Sequence, residues 1–224
     1  MRVAAKFTEF TFKELINRIE NIINIQKTER HDQISRKIES ILDNADKMNQ
    51  FCQKNQSRNI DTGYLEFGTP IMVQSGGTYN LKIGAEVAKT VMVADTIILS
   101  ICGKYKDFCA NQSRTLIIDP IPEQKAAYEF LISVFDILVD ELKIGKSFSE
   151  VSKKVREQAA KMENGHLAKF LPKVLGYGIG LKPKEELLAI KEDNEKIIEA
   201  GMVFNVRVSL ANFDSKKRPN RNCL

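Results

Sequence analysis

The sequence is poor in histidine, the side chain that most often binds transition metals in proteins. Only two occur in 224 residues, His31 and His166. His166 stands in NGHLAKF without a second histidine or an acidic pair beside it, which favours a surface or capping role over metal ligation. The chain therefore offers few candidates for a metal-binding imidazole.

Long apolar runs and paired cysteines are also missing. FLISVFDILV at 130–139 is too short and interrupted to span a bilayer, and MRVAAKFTEF lacks the apolar core of a secretory signal. The four cysteines contain no C-x-x-C pair; they are Cys52, Cys102, Cys109 and Cys223. We expect an intracellular, soluble protein with reduced thiols and no membrane partner.

Familiar catalytic motifs are absent as well. There is no P-loop, no G-x-G-x-x-G after a strand, no H-E-x-x-H and no G-x-S-x-G. Ser75-Gly76-Gly77 has the composition of a phosphate cradle, but glycines at a strand break more often form a bulge. Composition and spacing alone indicate a soluble α+β domain, with 43% hydrophobic and 28% charged residues.

Positive charge is concentrated at the carboxyl end. The net charge is +5, and the tail DSKKRPNRNCL holds Lys216, Lys217, Arg218 and Arg221 against Asp214 alone. Such a tail can make weak contacts with nucleic acid or an acidic partner. A solvated loop is the favoured interpretation, because no aromatic side chains are interleaved with the charges.

Periodicity in the first half predicts helices followed by a β-rich region. Apolar spacing indicates a helix from Thr8 to about Glu29 and a second helix over 34–42. PIMVQSGGTYNL (70–81) is typical of a strand broken by glycines. ADTIILSI and YKDFCANQSRTLIID are predicted as strands, with a hairpin turn at Gly103-Lys104.

The second half repeats this order. EQKAAYEFLISVFDILVDELKIG (123–145) is predicted as an amphipathic helix closed by Gly145, and Ser147 with Glu150 forms a capping box for the next helix. KVLGYGIGL (173–181) and MVFNVRVSL (202–210) are predicted as strands. The repeated order suggests a duplicated helix–helix–sheet unit.

Several β-rich phrases resemble the pita-bread peptidases, the group of methionine aminopeptidase, prolidase and aminopeptidase P. ADTIILSICGKYKDFCANQSRTLIIDP resembles their metal-binding hairpin, GYGIG their G-H-G-I-G, and GMVFNVRVSL their G-M-x-F-x-x-E-P strand. The resemblance places one residue of this chain at each metal-ligand position and one at a substrate-binding histidine. These degenerate site positions are Ser100, Asn111, Tyr177, Arg207 and Ile83.

The substitutions remove the chemistry that a dinuclear metal site needs. Bridging carboxylates offset the repulsion between two divalent ions, and a nitrogen ligand completes the shell. Neutral Ser100 and Asn111 and cationic Arg207 make the site about four charge units more positive than the peptidase pattern. Tyr177 is a poor substitute for imidazole. We expect no catalytic residues, no metal and no cofactor.

Within this group, the chain resembles the peptidase-like N-terminal region of the large subunits of FACT histone chaperones over roughly residues 8–213. The matching phrases are PIMVQSGGTYNLK, KYKDFCANQSRTLIIDP, EQKAAYEFLISV, LGYGIGL and AGMVFNVRVSL. The resemblance implies an α+β, pita-bread (creatinase/aminopeptidase-like) fold with pseudo-twofold duplicated helix–helix–sheet units, lacking the last strands. It predicts a single domain over 1–224, with a helical lead-in (8–50), a core (69–213) and a basic tail (214–224).

The same resemblance implies a nuclear, chromatin-bound role in nucleosome disassembly and reassembly during transcription, DNA replication and DNA repair. Implied partners are core histones or their tails, with an HMG-type smaller FACT subunit bound through other domains of a longer protein. Two alternatives stay open: an active metallo-aminopeptidase, and a pseudo-peptidase that binds nucleic acid through its basic tail.

Overall fold

The computed structural model describes residues 1–55 and 60–211. The chain divides into two compact units. The first unit comprises Met1–Asp119 with Ile179–Lys184, and the second comprises Pro120–Gly178 with the chain from Glu185 onward. Each unit has its own buried core. The expectation of one domain over 1–224 stays a prediction.

The first unit begins with three helices: α1 (Arg2–Asn24), α2 (His31–Glu39) and α3 (Ala45–Lys54). A 3₁₀ helix at Ser40–Asp43 links the last two. The expected end of the first helix near Glu29 is wrong. Gln26 adopts a left-handed φ of 51°, and the Lys27 amide donates to the Ile22 carbonyl, which closes α1 at Asn24.

The sheet of the first unit is antiparallel. Its strands are β1 (Leu65–Phe67), β2 (Met72–Gln74), β3 (Thr96–Tyr105) and β4 (Phe108–Ile117). β1 and β2 each pair with part of β3, and β4 pairs with β3 along its whole length. A 3₁₀ turn at Thr62–Tyr64 precedes β1.

The hairpin turn lies three residues beyond the predicted position. Tyr105 pairs with Phe108, and the two residues between them, Lys106 and Asp107, both have positive φ, of 45° and 68°. Two-residue hairpins favour this left-handed geometry because its twist matches that of the strands. The prediction of a turn at Gly103-Lys104 is therefore wrong.

Gly103 instead lets helix α1 lie directly on β3. A Cβ at this position would come within 2.4 Å of Thr8 Oγ1 and 3.2 Å of the Ala4 carbonyl oxygen. The Thr8 hydroxyl accepts a hydrogen bond from the Gly103 amide at 3.1 Å and donates to the Ala4 carbonyl at 2.8 Å. The core beneath includes five fully buried side chains, those of Phe7, Leu15, Ile97, Leu99 and Ile101.

The second unit contains two long helices and a small sheet. The helices are α4 (Pro122–Glu141) and α5 (Phe148–Lys161), and the strands are β5 (Gly176–Gly178) and β6 (Phe204–Val206). Short 3₁₀ helices occur at Gly165–Phe170 and Glu186–Leu188. The two predicted strands are thus much shorter than expected, since only three residues of each pair with the other.

The helix boundaries of this unit are partly as expected. Ser147 Oγ accepts from the Glu150 amide, and the Glu150 carboxylate accepts from the Ser147 amide, so the capping box is confirmed. Helix α4 ends at Glu141, earlier than predicted. Gly145, with φ of 91°, instead donates its amide to the Ile198 carbonyl.

Candidate functional site

Ser100 and Asn111 lie on the paired strands β3 and β4 of the first unit. Ser100 sits opposite Ser113, and Asn111 is two residues from Ser113 on the same strand. The Ser100 hydroxyl lies 3.3 Å from Asn111 Oδ1, and the Ser113 hydroxyl donates to Ser100 Oγ at 2.7 Å. The structure therefore brings the two predicted positions together. It adds Ser113, which the i, i+2 alternation from Asn111 could have indicated.

This group consists of neutral oxygens that hydrogen-bond to one another. All three side chains are half-buried. A serine hydroxyl and an amide oxygen carry no net charge to offset that of a divalent ion, whereas such ions prefer carboxylates. Ser100, Asn111 and Ser113 do not fit a divalent metal pair.

Tyr177 and Arg207 lie in the second unit. Tyr177 is in β5 opposite Asn205, and Arg207 follows β6 directly, with its amide donating to the Leu175 carbonyl at 2.9 Å. Burial lowers the pKa of the Arg207 guanidinium, and the nearby Tyr177 phenol acts in the opposite direction. The structure thus brings this second pair of predicted positions close together. A guanidinium cation and a phenol are again unsuited to binding a divalent ion.

The glycines on either side of Tyr177 are required by close contacts. A Cβ on Gly176 would lie 2.8 Å from the Asn205 carbonyl oxygen, within the paired strand. A Cβ on Gly178 would lie 2.6 Å from the Leu188 side chain. The G-Y-G frame therefore holds β5 against β6 and against the 3₁₀ helix at Glu186–Leu188.

The remaining predicted positions do not join a site. Ile83 is half-buried in a turn outside the sheet, next to Gly84 with its φ of 75°. The basic tail lies outside the described residues, so its proposed nucleic-acid contacts stay predictions; the four cations are Lys216, Lys217, Arg218 and Arg221.

No group of three or more histidine, cysteine or carboxylate side chains within residues 1–55 and 60–211 is arranged to hold a metal ion. Two thiols, of Cys102 and Cys109, lie close together under Gly68, whose Cβ would meet them at 2.9 and 3.5 Å. Burial raises the pKa of Cys102 to about 12, so this thiol is protonated at neutral pH and is not a nucleophile.

A buried histidine network in the first unit was not predicted. His31 Nε2 lies 2.9 Å from Ser75 Oγ, and His31 Nδ1 lies 3.2 Å from Thr90 Oγ1. Ser75 Oγ also accepts from the Val93 amide at 2.8 Å. Burial lowers the pKa of His31, with hydrogen bonding to Thr90 and the Asp32 charge opposing it.

The same network includes Ser75 of Ser75-Gly76-Gly77, the possible phosphate-binding turn. The Ser75 hydroxyl already bonds to His31 and the Val93 amide, and the Gly76 amide donates to Asp95 Oδ1 at 3.4 Å. A carboxylate at the Gly76 amide would repel a phosphate. Gly76 and Gly77 have positive φ, of 84° and 89°, which fits a backbone turn.

The two-unit α+β architecture matches one family along almost the whole chain. The model of metallopeptidase family M24 matches residues 1–218, and the chain belongs to this family. A prolidase from Pyrococcus furiosus is similar in fold, with a TM-score of 0.69 at 19% identity over 94% of this chain and 56% of that one. The predicted pita-bread fold is confirmed.

Within the family, the chain is similar to the FACT complex subunit SPT16. The SPT16 of Dictyostelium discoideum is 30% identical over 204 residues, which are 91% of this chain and 18% of that protein. The N-terminal domain of SPT16 from chickpea superposes with a TM-score of 0.84 at 27% identity, over 96% of this chain and 49% of that one. The predicted resemblance to FACT large subunits is confirmed, and the chain spans about a fifth of the length of such a relative.

No helix among the described residues is long and apolar enough to cross a membrane.

Proposed function

We propose that this chain is a non-catalytic, histone-binding pita-bread domain of a FACT-type histone chaperone. It acts in the nucleus, on chromatin, where nucleosomes are taken apart and rebuilt during transcription, replication and repair. Its histone contacts are made by the domain itself, and an HMG-type smaller subunit binds through other regions of the longer protein.

The proposal that the domain is non-catalytic rests on the chemistry of the side chains at the four predicted ligand positions. Ser100 is hydrogen-bonded within a neutral group that includes Asn111. Arg207 is a desolvated cation close to Tyr177. A peptidase of this family needs anionic oxygen ligands to bind two divalent ions and generate a nucleophilic hydroxide. These residues supply none, which supports loss of the metal site.

The chaperone part is supported by the relatives. The relative from Dictyostelium discoideum is a FACT complex subunit, and the solved domain with a TM-score of 0.84 is the N-terminal domain of another. A fold that keeps a peptide-binding architecture without catalysis can hold an extended chain through backbone hydrogen bonds and side-chain pockets.

Histones are basic, and this chain has a net charge of +5, so binding requires local acidic surface. The second unit contains two acidic pairs, Glu185-Glu186 and Glu192-Asp193. Within the second pair, Glu192 contacts Arg156 at 2.8 Å and Asp193 contacts Lys191 at 3.0 Å, so nearby cations offset their charge. We take the first pair, Glu185 and Glu186, as the candidate for a histone contact.

Calorimetric titration of purified core histones into the 224-residue chain tests this proposal. We expect saturable binding at 0.15 M salt, where charges are screened over about 8 Å, and weaker binding at higher salt, where the screening length is shorter. Replacing Glu185→Gln and Glu186→Gln should weaken binding, whereas the matched pair Glu157→Gln and Glu163→Gln, at exposed positions elsewhere in the unit, should not. Absence of binding at moderate salt would contradict histone binding by this domain.

A further inference from the structure

Helix α4 carries apolar side chains on two faces, one buried and one exposed. The inner face packs into the core of the second unit through Ala127, Phe130, Val134 and Leu138, all buried. A surface helix is ordinarily polar on its other side. Here exposed apolar side chains line part of the outer side as well, next to the charged residues of the helix.

The outer apolar residues form one continuous stripe. They are Tyr128, Ile132, Phe135 and Val139, with relative exposures of 36%, 48%, 40% and 47%. Their spacing of four, three and four residues places them on one face of the helix, over a length of about 17 Å. Single exposed apolar side chains are common, but contiguous exposed stripes mark interaction sites.

An acidic row runs beside this stripe. Glu129, Asp136 and Asp140 each follow a stripe residue by one position, so they project along one flank, and all three are exposed. Lys125 lies 3.9 Å from Glu129, in a solvated i, i+4 pair. Among the described residues no ion pair involves Asp136 or Asp140, so the flank is negative toward the carboxyl end of α4.

We propose that this outer face of α4 is a docking surface for a cationic amphipathic segment of a partner protein. The apolar stripe takes the apolar face of the segment, and the acidic row pairs with lysine or arginine beside it. Grooved or striped helix surfaces bind amphipathic segments in this way, and the flanking charges fix their orientation. The proposal goes beyond the proposed function, because it holds whether or not the partner is a histone.

The negative charge of the flank favours a cationic segment over a second copy of the chain as the partner at this surface. Two copies of α4 packed antiparallel about a two-fold axis would place both acidic rows on the same side, where like charges repel. A cationic segment instead meets opposite charge along the carboxyl-terminal part of the flank, at Asp136 and Asp140.

The test uses the 224-residue chain and a fluorescein-labelled, 16-residue helical peptide with leucines on one face and lysines beside them. Fluorescence anisotropy should show saturable binding. A peptide with glutamates in place of the lysines, and one with serines in place of the leucines, should each bind at least about tenfold more weakly. Equal binding of all three peptides, or no binding of the leucine–lysine peptide, would overturn the proposal.

Variants of the chain locate the surface. Ile132→Ser with Phe135→Ser should weaken peptide binding about tenfold or more. Asp136→Lys with Asp140→Lys should weaken binding of the lysine peptide and strengthen that of the glutamate peptide. Leu187→Ser is the matched control, because Leu187 is 75% exposed and lies on a different element.

Circular dichroism would verify that each variant folds, which is expected because all the changed side chains are exposed. The proposal fails if the charge exchange leaves both peptides unaffected, or if Leu187→Ser acts as strongly as the stripe variant. Analytical sedimentation of the chain alone tests whether a second copy covers this face instead. A dimer that is abolished by Ile132→Ser with Phe135→Ser would assign the face to a second copy and overturn the proposal.

Discussion

The two units of the chain hold their cores together in different ways. In the first unit, β3 and β4 pair over ten residues each, and α1 lies on them. In the second unit the strands pair over three residues, and much of the core is closed by irregular segments bonded to one another. Leu175 donates its amide to the Ile190 carbonyl, and Ile190 donates to the Gly176 carbonyl.

The side chains at the predicted ligand positions also differ between the two units. In the first unit, neutral Ser100 and Asn111 satisfy each other on regular strands. In the second, Arg207 is a desolvated cation beside short, glycine-dependent pairing. At the predicted ligand positions, the regular sheet thus carries a neutral hydrogen-bonded pair, while the irregular unit carries a desolvated cation. This comparison leads to four predictions.

The largest effects should come from truncating one aromatic residue in each core. Phe7 and Phe148 are both fully buried, so Phe7→Ala and Phe148→Ala should each lower the free energy of unfolding by about 3–5 kcal/mol. Because the cores are separate, hydrogen exchange should show lost protection first in the unit that carries the change. Phe108→Ala, at an exposed position, is the control. An equal loss of exchange protection in both units for both variants would contradict the presence of two separate cores.

Alanine substitutions at the glycines in close contacts should destabilise the two units for different structural reasons. Gly103→Ala and Gly176→Ala should each destabilise by about 1–3 kcal/mol, measured by urea denaturation. The nearest atom to a Gly103 Cβ is the Thr8 hydroxyl, whereas for Gly176 it is a backbone oxygen of the paired strand. Adding Thr8→Ala should therefore recover part of the loss in Gly103→Ala. If Thr8→Ala recovered no stability, the Thr8 hydroxyl would not be the group that excludes a Cβ at position 103.

Acid should destabilise the first unit through His31. Its pKa is lowered in the folded state by burial, so the folded chain binds the proton less well than the unfolded chain. The stabilising contribution of neutral His31 is complete above the unfolded pKa of about 6.5 and is lost as the pH falls below it, by up to about 1.4 kcal/mol per pH unit. Unfolding at pH 7.5 and 5.5 should show a pH dependence that is reduced in His31→Asn. A pH dependence that is unchanged in His31→Asn would contradict the assignment.

The smallest effects should have opposite signs at the predicted ligand positions. Arg207→Met replaces a desolvated cation with an apolar side chain of similar length and should raise stability by about 1 kcal/mol. Ser100→Ala removes a half-buried hydroxyl from its hydrogen-bonded group and should lower stability by about 1 kcal/mol. Thermal denaturation of both variants checks the signs. A marked loss in Arg207→Met would show that the cation is stabilising.

Regular elements of this fold could be predicted from local pattern. The capping box at Ser147 and the long alternating strands of the first unit were found from sequence because their signals are local. The turn at Gly103 was misplaced because this glycine is required by helix α1, a contact that strand sequence does not encode. The strands near Tyr177 and Arg207 were overpredicted because β-branched and aromatic residues also fill irregular, buried segments.

The candidate positions show the same limit. Resemblance to a family motif indicated Ser100, Asn111, Tyr177 and Arg207, and the structure brings the first two together and the last two together. The His31 network was missed because its partners, Ser75 and Thr90, are 44 and 59 residues away. The outer stripe of α4 was missed because apolar periodicity does not distinguish which of two apolar faces is buried.

The central claim is that the metal-dependent chemistry of the family has been lost from this chain. The most direct measurement is to load the purified chain with cobalt or manganese, remove excess metal, determine bound metal by elemental analysis, and assay dipeptide cleavage. The account predicts no stoichiometric metal and no turnover. One or two bound ions per chain together with dipeptide hydrolysis would contradict it.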